Sequence, residues 1–513
     1  MSDLDERLRA EGAAAIEALR ARLSDLHPRV DVARVGRVVE VGDGVAVAVG
    51  LDRPVAGELL DVGGVPARAE VVARDRVLLV LLGEGEALAG AVVRRHGRVL
   101  DVPAGPGLIG RVVDAVGRPL DGQGPLATRR RVVVDGPPIP LRDREPVTRP
   151  LRTGVFVVDT MIPIGRGQRQ LLIGDRSTGR TELALDILAA QGPDVLGLYV
   201  AIGRRGAEVA GSLAELRRAG FFERGLAVVA ESDTPVGLCH LAPYTAFAIA
   251  EDLMLRGRDV LVVLDDLTAH AHAHRTLALL LGRPVGREAY PVDVFYAHAR
   301  LLERATQLGQ RRGGGSLTAL PIIETQAGDL AAYIPTNLVS ITDGQIRMDA
   351  ALVAQHQIPA VDVGLSVSRV GGKAQPAAIR GLAGRVKNEY ALFLELETFT
   401  RFGAQLEAST QRTIDWGVRT RQLLRQERAA PASWSDAVIR LLVLQTADLP
   451  RLPIDAVAPA CAAATARCRA ALPEVVRLLD AALPVDDDAL AALRHEVSAA
   501  LAAWLPDAKD AGP

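Results

Sequence analysis

The sequence predicts a multidomain chain with an N-terminal β-barrel, a central α/β P-loop nucleotide-binding domain and a C-terminal α-helical domain. Three observations carry that prediction. Short valine-rich runs broken by frequent turns fill residues 30–98. Apolar strands then alternate with helical stretches to about residue 375, and Gly174-Asp-Arg-Ser-Thr-Gly-Arg180-Thr181 stands between one such strand and one such helix. From Ala377 onward the pattern is helical and late on rich in alanine, the best helix former. These shifts place boundaries at 1–27 for a leading helix, 28–98 for the barrel, 99–376 for the nucleotide-binding domain and 377–513 for the helical domain.

Bulk composition narrows the function. A chain of 513 residues is too long for one core. Lys+Arg 60 against Asp+Glu 62 leaves a net charge of −2, without the basic excess of a nucleic-acid binder. Aromatics at 3% also leave few stacking platforms for single strands. The three cysteines, Cys239, Cys461 and Cys468, form no CxxC pair, so neither a zinc site nor a disulfide framework is expected and a reducing compartment fits. The start, Met1-Ser-Asp-Leu-Asp-Glu, lacks the basic-then-apolar order of a signal peptide, and no apolar run is long enough to span a membrane.

Residues 2–26 read as an amphipathic helix, with Leu4, Leu8, Ile16, Leu19, Leu23 and Leu26 at helical spacing and His27-Pro28 ending it. Two readings stay open: a helix packed on its own protein, or one that docks a partner. Arg37 to Val49 predicts a hairpin turning at Asp43-Gly44, and Val71-Val-Ala and Val77–Leu82 predict further strands. Glycine and proline cluster from Val102 to Pro140, which reads as a connection. In the α/β stretch the strand candidates are Gln170–Gly174, Leu196–Gly203, Leu226–Ala230, Val260–Leu264 and Leu317–Ile323. The last residues, Asp507 to Pro513, are expected to fray.

The loop matches the phosphate-binding pattern at Gly174, Gly179 and Thr181, but Arg180 replaces the usual lysine. Gly174, Asp175, Arg176, Ser177, Thr178, Gly179, Arg180 and Thr181 still offer backbone N–H groups and a helix N-terminus to a polyphosphate. Arg180 keeps the charge but not the compact ammonium that reaches between phosphates. The strand Val260–Leu264 ends in Asp265-Asp266, and an acid there could hold Mg2+ through water with the Thr181 hydroxyl beside it. Asp265 is the better metal candidate, and Asp266 can cap the segment after it. Hydrolysis further needs a carboxylate on the attacking water. The strand ending at Gly203 leads instead into Arg204-Arg205, and Glu208 suits the first turn of the next helix.

Leu365-Ser366-Val-Ser368-Arg369-Val-Gly371-Gly372 holds an arginine among small residues. It reads either as an ordinary salt-bridge partner or as a finger that reaches across a subunit boundary to a transferring phosphoryl group. His270, His272 and His274, spaced by two, face different sides of a helix, so structural histidines outweigh a metal site. Arg129-Arg130-Arg131 is too short a run to signal nucleic acid.

These residues resemble one family, the alpha subunit of bacterial F-type ATP synthases. The segments that carry the resemblance are Pro163–Arg169, Ile173-Gly-Asp-Arg176, Gly286–Pro291 with Asp293-Val-Phe-Tyr296, and Leu301-Leu-Glu-Arg304. It continues through Ser316–Gln326, Pro335-Thr-Asn337, Ser340–Gln345 and Ser366–Gly372, in order from about Gly36 to Pro431. The resemblance implies a three-plus-three ring with beta subunits around a gamma rotor. It implies an alpha site that binds ATP or ADP with Mg2+ without turnover, and a Ser366/Arg369 motif that serves the catalytic site of beta. It implies a docking helix that meets the delta or peripheral-stalk subunit. It also implies a peripheral place on the cytoplasmic face of the inner membrane, with contact to the membrane only through the membrane sector, and coupling to proton or sodium transport.

Departures accompany the match. Members usually carry lysine at position 180, glutamine at 204 and an arginine where Ile358 stands, and only Gln426 keeps one of two glutamines expected near the adenine. Such departures fit the class of F-type enzymes found as second copies in some bacteria. Two rival readings are a ring subunit with a vestigial nucleotide site and a self-sufficient export or Rho-like hexameric ATPase. The second needs its own lysine and catalytic acid, and this sequence offers neither.

Overall fold

The computed structural model describes residues 35–505 except 84, 86–88 and 401–406. The expected docking helix at 2–26 and the fraying tail at 507–513 lie outside the described residues.

Six antiparallel strands close a barrel. They are β1 (Gly36–Gly42), β2 (Val45–Val49), β3 (Glu58–Val62), β4 (Val65–Val72), β5 (Arg76–Leu81) and β6 (Val92–Val99), in the order β1-β2-β5-β4-β3-β6. The predicted hairpin is β1–β2, and Gly44 supplies the left-handed turn at φ 80°. In β3 and β4 buried residues alternate with half-buried ones, so one face of each strand fills the barrel. Leu60, Val62, Ala67, Ala69, Leu79 and Val93 form that interior and are wholly inaccessible.

The segment expected to be a connection contributes strands. β7 (Asp101–Pro103) pairs with β9 (Arg131–Val133), while β8 (Val112–Asp114) lies parallel at the edge of the central sheet. Three residues are too few for a period-two pattern to show in the sequence, and tertiary pairing decides them. Arg111 locks this corner with a two-pronged ion pair to Asp121, whose pKa the arginine depresses far below the usual carboxylate range.

Short strands β10 (Arg144–Glu145), β11 (Pro150–Leu151) and β12 (Ile164–Gly165) and helix α1 (Phe156–Met161) lead into the main sheet. It is built on β13 (Leu171–Asp175), β14 (Val195–Arg204), β15 (Gly225–Glu231), β16 (Asp259–Asp265), β17 (Thr306–Leu308), β18 (Ser316–Thr325), β19 (Gly344–Met348) and β20 (Val367–Ser368). Its main path runs β20-β19-β13-β18-β16-β14-β15-β8, parallel from β19 to β8, with β20 antiparallel at one edge. The five strand candidates each match an observed strand to within a residue or two at either end. β19 carries no comparable signal, because its side chains alternate buried and half-buried over only five residues.

Helices cover both faces, and continuous apolar strands follow from that double coverage. On β14, Leu198, Val200 and Ile202 point to a core with helix Val236–Met254, whereas Tyr199 and Ala201 point to the opposite core. That second core contains α2 (Arg180–Ala189) and also takes in the C-terminal helices, through Phe393, Trp416, Trp434 and Val438. The helical domain therefore joins the core on the loop's side of the sheet, packing on α1 through helices Ala377–Thr400 and Trp434–Leu444.

Candidate functional site

The loop joins β13 to α2 at the carboxyl ends of the parallel strands, the usual crevice for ligands in an open α/β sheet. Its conformation requires its glycines. A Cβ on Gly174 would lie 2.8 Å from the Met348 carbonyl oxygen, and Gly179 caps α2 at φ 90°. Ser177 is also left-handed, at φ 62°. The predicted members do not all face the crevice. The Asp175 carboxylate accepts from Thr325 Oγ1 (2.5 Å) and the Gly328 N–H (2.8 Å). Thr178 is buried and donates to the Asp175 carbonyl (2.7 Å). Arg176 and Ser177 are exposed.

Two cavities flank the loop and share Ser177, Gly179, Glu182, Leu185, Glu215 and Arg428. The first, 710 Å3, lies between α2, Gly154, the Ile358-Pro359 segment and residues 426–431. The second, 510 Å3, is densely charged, lined by Arg176, Arg180, Arg204, Arg205 and Arg428 and by Glu182, Glu208, Glu215, Asp266 and Glu324. An apolar cleft joined to one rich in arginine and carboxylate has the form a nucleotide needs, a slot for a base and ribose beside polar donors for phosphates.

Around Asp265 the chain brings together what the sequence separates by some 60 to 85 positions. The carboxylate is inaccessible to solvent. Thr181 Oγ1 lies 3.2 and 3.1 Å from its two oxygens, and Tyr199 donates its hydroxyl at 2.9 Å. Arg204 Nη1 donates to Asp265 Oδ1 at 3.0 Å and to Thr181 Oγ1 at 3.3 Å. Burial raises the Asp265 pKa, opposed by the Arg204 charge and the Tyr199 and Thr181 hydrogen bonds. Asp266 caps helix Leu267–Leu280 through the Ala269 N–H, and burial next to Asp265 pushes its carboxyl up to about 6.

Arg369 stands elsewhere. Its backbone N–H donates to the Asp343 carbonyl, and the Asp343 N–H donates to the Arg169 carbonyl, both at 2.8 Å. Arg369 is thus level with Arg169, five residues before Gly174 along β13 and two strands to the side, or about 16 Å and 10 Å. It is exposed, and among the described residues its guanidinium has no hydrogen-bond or ion-pair partner. Ser366 is buried, donating to the Asp362 carbonyl (2.5 Å) and accepting from the Arg347 N–H (2.9 Å), so it shapes the turn that presents Arg369.

Residues 154–368 match the ATP synthase alpha/beta family, nucleotide-binding domain, and residues 375–500 match the ATP synthase alpha/beta chain, C terminal domain. The chain is 53% identical over 423 residues to "ATP synthase subunit alpha 2" of Polaromonas naphthalenivorans (strain CJ2), covering 82% of this chain and 81% of that one. It is 50% identical over 465 residues to "ATP synthase subunit alpha 2" of Syntrophotalea carbinolica, covering 90% and 89%. A third relative, "ATP synthase subunit alpha 1" of Marinomonas sp. (strain MWYL1), is 50% identical over 437 residues, 84% of this chain and 85% of that one. The chain belongs to the alpha subunits of F-type ATP synthase.

In this alpha subunit the expected metal ligands meet, but they do not fit a bound Mg2+. A hydroxyl and a carboxylate are the right oxygen donors, and Mg2+ would sit about 2.1 Å from the first and reach the second through water. The Arg204 guanidinium is hydrogen-bonded to both oxygens already. The Arg180 side chain is likewise engaged, donating to the Ile323 carbonyl at 2.6 Å with Glu324 at 3.4 Å. Gln426 lines the larger cavity, yet its amide donates to the Gly154 and Ala430 carbonyls and accepts from the Phe156 N–H.

Sequence reasoning missed Tyr199 and Glu324. A tyrosine inside an otherwise apolar strand is the signal for the first, because a buried hydroxyl needs a partner. His270 and His274 are buried and His272 is exposed, and among the described residues no cluster of three His, Cys, Asp or Glu side chains could hold a metal. Among the described residues no helix is long and apolar enough to cross a membrane.

Proposed function

We propose that this alpha subunit binds ATP or ADP in its own cleft without hydrolysing it and lends Arg369 to the catalytic site of an adjacent beta subunit. The observation that carries the reading is the position of Arg369. It is unpaired within the described chain, exposed, and at the opposite end of the sheet from its own phosphate-binding loop, far beyond one side chain's reach. An arginine so placed is out of reach of its own loop and free to meet a neighbouring subunit, which supports this reading. No carboxylate follows β14 where attacking water would need one, since Arg204 and Arg205 stand there.

On this reading the subunit alternates with beta subunits in a three-plus-three ring around a gamma rotor, with a delta or peripheral-stalk subunit at its N-terminus. The assembly would sit peripherally on the cytoplasmic side of a bacterial membrane, coupling ATP synthesis or hydrolysis to proton or sodium transport. The Mg2+ expected at Thr181 and Asp265 is left out of the subunit's own site, because Arg204 holds both residues.

The test is Arg369→Ala in the complex co-expressed with its beta partner. Turnover should fall by about 10³-fold, the scale of such an arginine, while ATP binding to the isolated alpha subunit stays as in wild type. Undiminished turnover would sink the assignment. A second reading, a scaffold with a vestigial site, is favoured by the internal bonds of Arg180 and Gln426. Direct titration of the isolated subunit with ATP separates the two, micromolar binding supporting the first and no binding the second.

A further inference from the structure

Arg204 holds the place where a divalent cation would bridge the loop hydroxyl and the strand-end carboxylate. Its Nη1 lies 3.3 Å from Thr181 Oγ1 and 3.0 Å from Asp265 Oδ1, and its Nε lies 3.0 Å from Glu208 in the first turn of the helix that follows the strand. That ion pair is close but not aligned as a hydrogen bond, and Nε is buried without one. The Arg204 side chain is three-quarters covered (24% exposed), and that of Asp265, its main partner, is completely covered. A buried carboxylate needs a cation, and here the chain supplies a permanent one. The cavity it borders is also lined by Arg176 and Arg205, which offer phosphate N–H donors without a metal, beside the carboxylates of Glu182, Glu208, Glu215, Asp266 and Glu324.

We propose that Arg204 is a built-in cation standing where the divalent ion would stand, so that this subunit's cleft takes a nucleoside di- or triphosphate free of metal. The inference rests on the nucleotide reading above and specifies its ligand. Arginine satisfies Asp265 and Thr181 through directed N–H bonds, whereas Mg2+ demands six oxygens close in and keeps several waters. Both cannot occupy the same few ångströms, and the tethered one is always present. The bound nucleotide then carries its full negative charge to the arginines of that cavity.

The experiment uses the purified full-length chain and ATP as the probe, in buffer with excess Mg2+ and in buffer with EDTA. Wild type should bind with the same Kd in both, to within about twofold. Mn2+ added as a paramagnetic stand-in should show no bound signal beyond that of ATP alone. Arg204→Gln should make binding metal-dependent, tightening at least about tenfold with Mg2+ and acquiring bound Mn2+. If that variant fails to fold, the two wild-type measurements decide the matter by themselves. Wild-type binding that tightens about tenfold with Mg2+, or that brings Mn2+ with it, overturns this inference alone. Absence of binding in both buffers overturns the inference and the nucleotide reading together.

Discussion

Arg180 shows how much one side chain can alter a phosphate-binding loop. A lysine there would end in a compact ammonium free to turn toward phosphate. The longer arginine instead reaches the end of β18, bonding the Ile323 carbonyl and lying near Glu324. Arg180→Lys gives up those bonds, at about 1 kcal/mol of stability, and frees a cation for the nucleotide. ATP binding to the isolated subunit should therefore tighten by about tenfold, read by titration calorimetry. Weaker binding in the variant would mean that Arg180 itself turns to the phosphates when nucleotide enters. The substitutions at 180 and 204 were plain in the sequence. That both guanidiniums bond inward to strand ends was not, since nothing local to either residue names Ile323 or Asp265 as its neighbour.

At the scale of elements, α/β alternation and the loop were legible because each rests on short-range pattern. Strands of five to ten residues that are apolar over most of their length announce themselves, as β14 and β18 do. The three-residue β8 and the half-buried β19 do not. Helix packing is equally opaque to local reasoning. Gly417, inside helix Ala408–Leu423, looks like a defect worth about 1 kcal/mol relative to alanine. In the fold, its missing side chain makes room for the Phe393 ring of helix Ala377–Thr400. A Cβ there would lie 2.0 Å from ring carbons. Gly417→Ala should thus destabilise by about 1 to 3 kcal/mol, overpacking outweighing propensity. A lowered Tm in thermal denaturation is the expected outcome, and a raised one would show that the helices part easily.

On the scale of the whole molecule, four histidines from three helices meet beneath the barrel, a cluster that sequence spacing of two did not suggest. His240 stacks on His270 and His274, and His270 Nδ1 lies 3.1 Å from His298 Nε2. His274 also faces Asp293 at 3.0 Å, and Arg68 and Arg283 add positive charge nearby. Burial drives the pKa of His240 and His270 far down and that of His298 down to about 3. Such groups contribute no penalty above the unfolded value of about 6.5. Below it the unfolded chain takes up protons that the folded chain refuses, so stability falls as pH drops. Buried Asp159 and Asp266, raised to about 7 and about 6, act in the opposite sense. A comparison of variants isolates the histidine effect. Between about pH 6 and pH 5, His298→Leu should lose less stability than wild type by about 1.4 kcal/mol per pH unit. Denaturant unfolding at the two pH values checks it, and equal slopes would show that His298 accepts a proton in the folded state.

The sequence by itself determined the barrel, the α/β alternation, the helical tail, the loop and the arginines that end β14, because each is written in contiguous residues. It also singled out Arg369 as an arginine among small residues. Only the tertiary structure placed that arginine relative to the loop. The register from Arg169 through Asp343 sets Arg369 at the far end of the sheet from Gly174, and a parallel sheet has its ligand crevice at one end only. Tertiary structure likewise decided that Arg204, Tyr199, Thr181 and Asp265 form one network. Two adjacent strands and a helix N-terminus converge there, and burial leaves those polar atoms few partners but one another.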